Sequence, residues 1–258
     1  MADRSEYTTT TPIADAISLL KRVKERESKI IVAFSGGKDS ICTLALAVRV
    51  FGQENVQPYH LYWVKGLECE MGIIRKVLSR YPKLRPLIDL PTPSVRELLA
   101  NNYGRSLTPS VIDRVSKKSM YTQNTVEKIV RFRSGIRWIA GGHRIMDSLH
   151  RRGMLHACHG FWEDFHRVYP LYRWHYKDVF SFLKHENLPV PDMYGAKANK
   201  ASGTDITDPS FILHCKKHYP EDFRKIKALF PFIEDSVFRD CVRARLGIAN
   251  VARIETDV

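Results

Sequence analysis

The hexapeptide Ser35-Gly36-Gly37-Lys38-Asp39-Ser40 stands where a short apolar, β-branched run from Lys29 to Phe34 gives way to a helical pattern through Ile41, Leu44, Ala45 and Val48. Such a run reads as a buried parallel strand. Two glycines let the backbone turn tightly and bring its amides up to an anion. A helix starting at about Asp39 adds unpaired N–H groups and the positive end of its dipole. Lys38 supplies a full charge, and the hydroxyls of Ser35 and Ser40 can donate to phosphate oxygens. A strand, an anion-holding bend and a helix in succession commit the chain to an α/β architecture. The spacing is neither Gly-x-x-x-x-Gly-Lys-Ser/Thr nor Gly-x-Gly-x-x-Gly, so the nucleotide loops with those signatures are excluded.

The alternation continues along the chain. Thr11-Pro12 reads as an N-cap and first helical position, opening a helix that runs to about Glu27. Strands are expected at Val56 to Val64, Leu84 to Leu90 and Ile136 to Ala140. Helices are expected at Met71 to Tyr81, Ser94 to Asn101 and Val126 to Arg133, with another around Val179, Phe182 and Leu183. This order predicts a doubly wound parallel sheet with helices on both faces and right-handed crossovers. The last fifty residues read as helical, with Phe211, Ile212, Phe223, Ile226, Leu229, Phe238 and Val242 as packing positions. A nucleotide-binding domain over 1–191 and a helical appendage over 192–258 are therefore expected.

Ligands of such sheets sit beyond the carboxyl ends of the strands. That places Trp63, at the end of the second strand, as an adenine wall or as ordinary core. It turns Gly141-Gly142, at the end of the fourth, towards the nucleotide.

Charge sharpens the reading. The chain carries 41 Lys+Arg against 28 Asp+Glu, a formal +13, which suits a protein that meets phosphates on nucleotides or nucleic acid. Arg131, Arg133, Arg137, Arg144, Arg151 and Arg152 fall in one stretch where Asp147 is the only acid. Five cysteines are scattered without a Cys-x-x-Cys pair, so no metal site is expected. No apolar run approaches the roughly 18 residues needed to span a bilayer, and Met1-Ala2-Asp3-Arg4 is unlike a signal peptide. A cytoplasmic protein with no membrane partner is expected.

The bend resembles the PP-loop of the ATP pyrophosphatase superfamily, matching its Ser-Gly-Gly-x-Asp-Ser at every fixed position. Gly142-x-Arg144-x-x-Asp147-Ser148-x-x-Arg151 is similar to the arginine segment of the phosphoadenylylsulfate reductase-like branch. Pro170, Trp174, Asp178, Val179 and Phe182 match a following segment, in which Trp174 and Asp178 are expected to pack and cap.

The resemblance implies an adenine nucleotide alpha-hydrolase-like fold and MgATP held by Ser35, Gly36, Gly37, Lys38, Asp39, Ser40, Trp63, Gly141 and Gly142. Lys38 and Asp39 would act in catalysis, and His143, Arg144, Arg151 and Arg152 would hold the substrate anion. The family's C-terminal catalytic cysteine has no counterpart in Ala252 to Val258, and no cysteine pair follows Ser202-Gly203. Cys158 and Cys215, each flanked by cationic residues, are candidate sulfur acceptors or plain helix-face thiols.

The function this implies is an ATP pyrophosphatase that adenylylates an anionic acceptor. The relatives it points to are the ATP pyrophosphatase components of DNA phosphorothioation systems. Nucleic acid, DNA in first place, and a sulfur-donor protein would be the partners, and an oligomer is open. The alternatives are a sulfonucleotide reductase or adenylyltransferase acting on a small nucleotide, and a nucleotide- or nucleic-acid-binding module without turnover.

Overall fold

A computed structural model of the chain describes residues 11–93, 121–191, 206, 208–231, 233–235 and 238. The expected helix at Ser94 to Asn101, the Ser202-Gly203 dipeptide and everything from Arg239 onward lie outside these residues.

Helix α1 (Pro12–Lys24) opens as its sequence requires: the Thr11 side chain accepts from the Ala14 amide at 3.3 Å, and Pro12 fills the first turn. Its apolar stripe buries Ala16, Leu19, Leu20 and Val23. Strand β1 (Ile30–Ala33) is buried over its first three residues and leads into α2 (Lys38–Phe51). Then follow β2 (Val56–Tyr62), α3 (Glu68–Leu78), β3 (Ile88–Pro91), α4 (Gln123–Ser134) and β4 (Ile139–Ala140). Helix α5 (Leu149–Cys158), the short strands β5 (Phe161–Trp162) and β6 (Arg167–Val168), and α6 (Tyr176–His185) complete the first part. Helices α7 (Pro209–His218) and α8 (Pro220–Leu229) come last.

The six strands form one sheet in the order β3-β2-β1-β4-β6-β5. Strand β1 pairs in parallel with β2 on one side and β4 on the other, and β4 pairs in parallel with β6. The fold is thus the expected doubly wound α/β type. The β5–β6 pair, an antiparallel edge, was not anticipated. Two residues per strand give no readable period, and the hairpin hides in the sequence between α5 and Tyr169.

The order reverses between β1 and β4. The chain leaves β1 towards β2 and β3, then returns to add β4 on β1's other side. Their exits therefore diverge and open a crevice at the carboxyl ends of the two strands, where sheets of this kind bind ligands.

The described residues pack as two units, within 1–60, 76–88 and 130–189, and within 61–75, 89–129 and 190–258. In the first, Trp174 is 1% exposed, its Nε1 donates to the Pro12 carbonyl at 2.9 Å, and its ring meets Phe182 edge-on. Asp178 accepts from the His175 amide at 2.7 Å and caps α6. Both residues thus pack and cap as expected. In the second, Phe211, Ile212, Phe223, Ile226, Phe230 and Ile233 form an apolar cluster with Val64, Leu67 and Ile206. Phe211, Ile212, Phe223 and Ile226 pack as the sequence marks, but Leu229 is 39% exposed at the end of α8, where Phe230 fills the cluster instead. Phe238 is 70% exposed, and Val242 lies outside the described residues.

Candidate functional site

The bend after β1 is built from local hydrogen bonds. Gly36 has φ +76°, a left-handed conformation that costs glycine nothing and side-chain-bearing residues about 1–2 kcal/mol. The Ser35 hydroxyl accepts from the Gly37 amide at 3.4 Å and lies 3.3 Å from the Ser40 hydroxyl, which donates to the Gly37 carbonyl at 2.8 Å. These bonds hold the turn closed at its base. Gly37 stands at the N-cap of α2 and offers no side-chain cap, so the first-turn amides keep the open, positive end of a 14-residue helix. Thr43 donates to the Asp39 carbonyl at 2.9 Å and stiffens that turn.

The segment leaving β4 comes up against the same turn. A methyl on Gly142 would stand 3.1 Å from the Asp39 carbonyl carbon and 3.2 Å from its oxygen. One on Gly141 would stand 3.2 Å from the Tyr169 ring. The two glycines let the chain pass between Tyr169 and α2. Gly142→Ala should therefore push Asp39 out of place and weaken nucleotide binding several-fold, with Gly153→Ala, where nothing lies within 4 Å, as the silent control. Equilibrium dialysis with ATP checks it.

A chain of alternating charges crosses this contact. Lys38 Nζ lies 2.7 Å from Asp39 Oδ2, and Arg144 Nε lies 3.1 Å from Asp39 Oδ1, off the hydrogen-bond axis. Arg144 Nη2 donates to Asp147 Oδ1 at 3.1 Å, and the Arg144 amide donates to Asp147 Oδ2 at 2.9 Å. Arg151 Nη1 donates to Asp147 Oδ2 at 3.2 Å. The Arg144 side chain is 9% exposed and that of Arg151 45%. Three cations and two carboxylates leave a net +1.

The expected anion-binding arginines thus divide into two kinds. Arg144 is enclosed between two carboxylates and holds the bend to the β4 exit. Arg151 and Arg152 remain exposed, with Arg152 Nε donating to the Ile145 carbonyl at 3.3 Å. Asp147, which the sequence marks as the only acid of the arginine stretch, proves to be the link between Arg144 and Arg151. Its neighbour Ser148 N-caps α5 by accepting from the Arg151 amide.

His143 stacks on Tyr169 with ring centroids 5.4 Å apart. Burial first, then the Arg151 charge, lowers its pKa from 6.5 to about 4, with Asp147 opposing. At neutral pH it is an uncharged imidazole, so it can serve an anion only as a hydrogen-bond donor. Because the folded pKa lies below the unfolded one, the unfolded chain binds the extra proton first. Stability contributed by neutral His143 is intact above pH 6.5, falls as the pH drops from 6.5 to about 4, and then levels. His143→Gln should flatten that part of the melting-temperature profile.

The remaining expected residues lie elsewhere. Trp63, expected at the adenine, packs against the apolar cluster of the second unit together with Cys69. Cys215 is buried in that cluster with its Sγ 3.9 Å from Cys69 Sγ, closed to a sulfur donor. The Cys215 contact, then burial, push the Cys69 thiol far above its ordinary range, and burial does the same for Cys42. Cys158 lies half-buried at the end of α5. Among the described residues no group of three or more His, Cys, Asp or Glu could hold a metal ion, and no helix is long and apolar enough to cross a membrane.

Comparison with known proteins adds to this geometry. The family model for the phosphoadenosine phosphosulfate reductase domain matches residues 29–226. No curated protein matches the chain. Three solved structures are similar in fold. The NH3-dependent NAD synthetase of Campylobacter jejuni has 9% identity and a TM-score of 0.46, over 90% of this chain and 94% of that one. The phosphoadenylyl-sulfate reductase of Candida auris has 14% identity and a TM-score of 0.47, over 73% and 88%. The U34-tRNA thiolase NcsA of Methanococcus maripaludis has 15% identity and a TM-score of 0.43, over 86% and 80%.

Proposed function

The chain belongs to the phosphoadenosine phosphosulfate reductase domain family, within the PP-loop superfamily, and from that premise we propose that it is an ATP pyrophosphatase. It transfers the adenylyl group of ATP to an anionic acceptor, a nucleic acid, and releases pyrophosphate. The supporting observation is the uncapped N-terminus of α2, with Lys38 beside it, at the point where β1 and β4 diverge.

The β- and γ-phosphates lie on the amides of residues 36 to 40, where backbone dipole and Lys38 meet their charge. Arrival of the polyanion draws Lys38 away from Asp39. Arg144 stays on Asp39 and keeps that carboxylate in place, so Arg144 is a positioning residue. Magnesium enters as part of the MgATP substrate, where it neutralises charge on the phosphate oxygens. The two carboxylates that the described residues bring to the bend, Asp39 and Asp147, are each held by two cations. That arrangement does not fit a resident protein metal site.

An acceptor oxygen attacks the α-phosphorus in line, the α–β bridging bond breaks, and pyrophosphate leaves onto the loop amides and Lys38. Arg151 and Arg152, exposed beside this point, hold the acceptor's anionic groups. The adenylylated oxygen is then a leaving group for a sulfur nucleophile brought by a partner protein. A cytoplasmic setting fits this use of ATP.

Incubation with α-labelled ATP, with and without DNA, tests the reading. Pyrophosphate together with AMP or adenylylated product supports it. ADP and phosphate, or no product, overturns it. The family match favours one second reading, reduction of a sulfonucleotide, which sulfite release from phosphoadenylylsulfate with thioredoxin would reveal. Three of the four described cysteines speak for the first reading, since Cys42 and Cys215 are buried and the thiols of Cys42 and Cys69 are held protonated.

A further inference from the structure

Helix α5 is covered less than its composition would lead one to expect. Of its ten residues only Leu155 is fully buried, while Leu149 is 81% exposed. His150, Arg151, Arg152 and His156 are all exposed, His159 follows at the C-cap, and no Asp or Glu occurs between Asp147 and Glu163. Leu149, Arg152, Gly153 and His156 follow the i, i+3, i+4, i+7 spacing and share one stripe, opposite the covered face made by Met154, Leu155 and Cys158. Nothing lies within 4 Å of the position a Gly153 Cβ would take, so the backbone is open to close approach there.

From this we infer that the outer stripe of α5 binds the phosphodiester backbone of a nucleic-acid strand and leads it to the nucleotide bend. Charge complementarity carries the assignment. The one acid at the head of the helix, Asp147, is already met by Arg144 and Arg151, and the stripe has no carboxylate of its own. Ten helical residues span about 15 Å, room for a few backbone phosphates. Leu149, apolar and exposed beside the site end, offers a surface to a base, while Arg152 and His156 lie further along for phosphate. The strand enters next to Asp147, whose carboxylate holds the arginine that ties β4 to the bend. This deepens the proposed function, on which it rests, by giving the acceptor its docking surface.

Binding of a short fluorescein-labelled oligonucleotide, DNA or RNA, to the full chain tests it by anisotropy between about 50 and 200 mM salt. The variant carrying Leu149→Glu and His156→Glu, both outside the nucleotide bend, should bind at least about tenfold more weakly, with ATP binding and melting temperature unchanged. Arg152→Gln should lower the salt slope by about 0.7 for a single strand. Unchanged oligonucleotide binding by the double variant overturns the surface. So does a wild-type chain that binds no oligonucleotide, or one from which polyglutamate of equal charge displaces the oligonucleotide as well as unlabelled nucleic acid does. A double variant that loses the oligonucleotide while the wild type makes no pyrophosphate leaves the surface standing and removes the adenylyl-transfer reading instead.

Discussion

Replacing Lys38 with alanine should lower kcat/KM for pyrophosphate release by about 10²–10³-fold, a loss of about 3–4 kcal/mol of transition-state stabilisation. The side chain is 12% exposed and its ammonium rests 2.7 Å from Asp39, so it stands within the bend before ATP arrives. Charge builds on the departing pyrophosphate as the α–β bond breaks, and a mobile cation at the helix start meets that charge better than amides alone. Lys38→Arg should keep part of the rate, because it keeps the charge but replaces a compact ammonium with a bulkier planar fork. The fold should hardly notice Lys38→Ala, since Arg144 still faces Asp39; a melting temperature within a few degrees of wild type is expected. Undiminished pyrophosphate release from the alanine variant would remove the bend from the chemistry.

Arg144→Ala is expected to act on stability first. Its guanidinium stands between Asp39 and Asp147 with the side chain 9% exposed. Without it two carboxylates of the same crevice lose their common partner, and among the described residues each keeps one other cation, Lys38 or Arg151. Breaking an enclosed ion pair costs about 3–5 kcal/mol, and partial access of water here should bring that to about 2–4 kcal/mol. Chemical denaturation should show the loss as a lower midpoint with an unchanged slope. Arg144→Lys should recover little, because one ammonium cannot reach both acids as the planar fork does. ATP turnover should fall with it, since Asp39 loses its anchor. A variant as stable as the wild type would show that the two acids are held by other contacts.

The contrast between Arg144 and Arg152 marks how much of the site could be read in advance. Both stand in one basic run, and only the tertiary contacts separate the arginine enclosed by carboxylates from the one left on the surface. Gly142 was legible as a strand-end glycine, yet the reason for its smallness, the Asp39 backbone 3.1 Å from a would-be methyl, comes from a segment far off in the chain. His143 was read as an anion ligand, and burial beside Tyr169 makes it a neutral one. The sequence allows Trp63 to be an adenine wall or ordinary core, and its contact with the cluster of α7 and α8 supports packing. The β5–β6 hairpin was illegible because strands of two residues carry no period.

By itself the sequence determined the class of fold, the succession of strand, bend and helix at residues 30–51, and the cap at Thr11. Each of these is set by residues within a few positions of one another, through periodicity, glycine freedom and side-chain-to-amide bonds. Only the tertiary structure decided which charges neutralise each other, which thiols are closed off, and which basic helix stays uncovered. Those outcomes depend on burial and on distances between segments far apart in the chain, and Coulomb energy and desolvation follow distance in space rather than position in sequence.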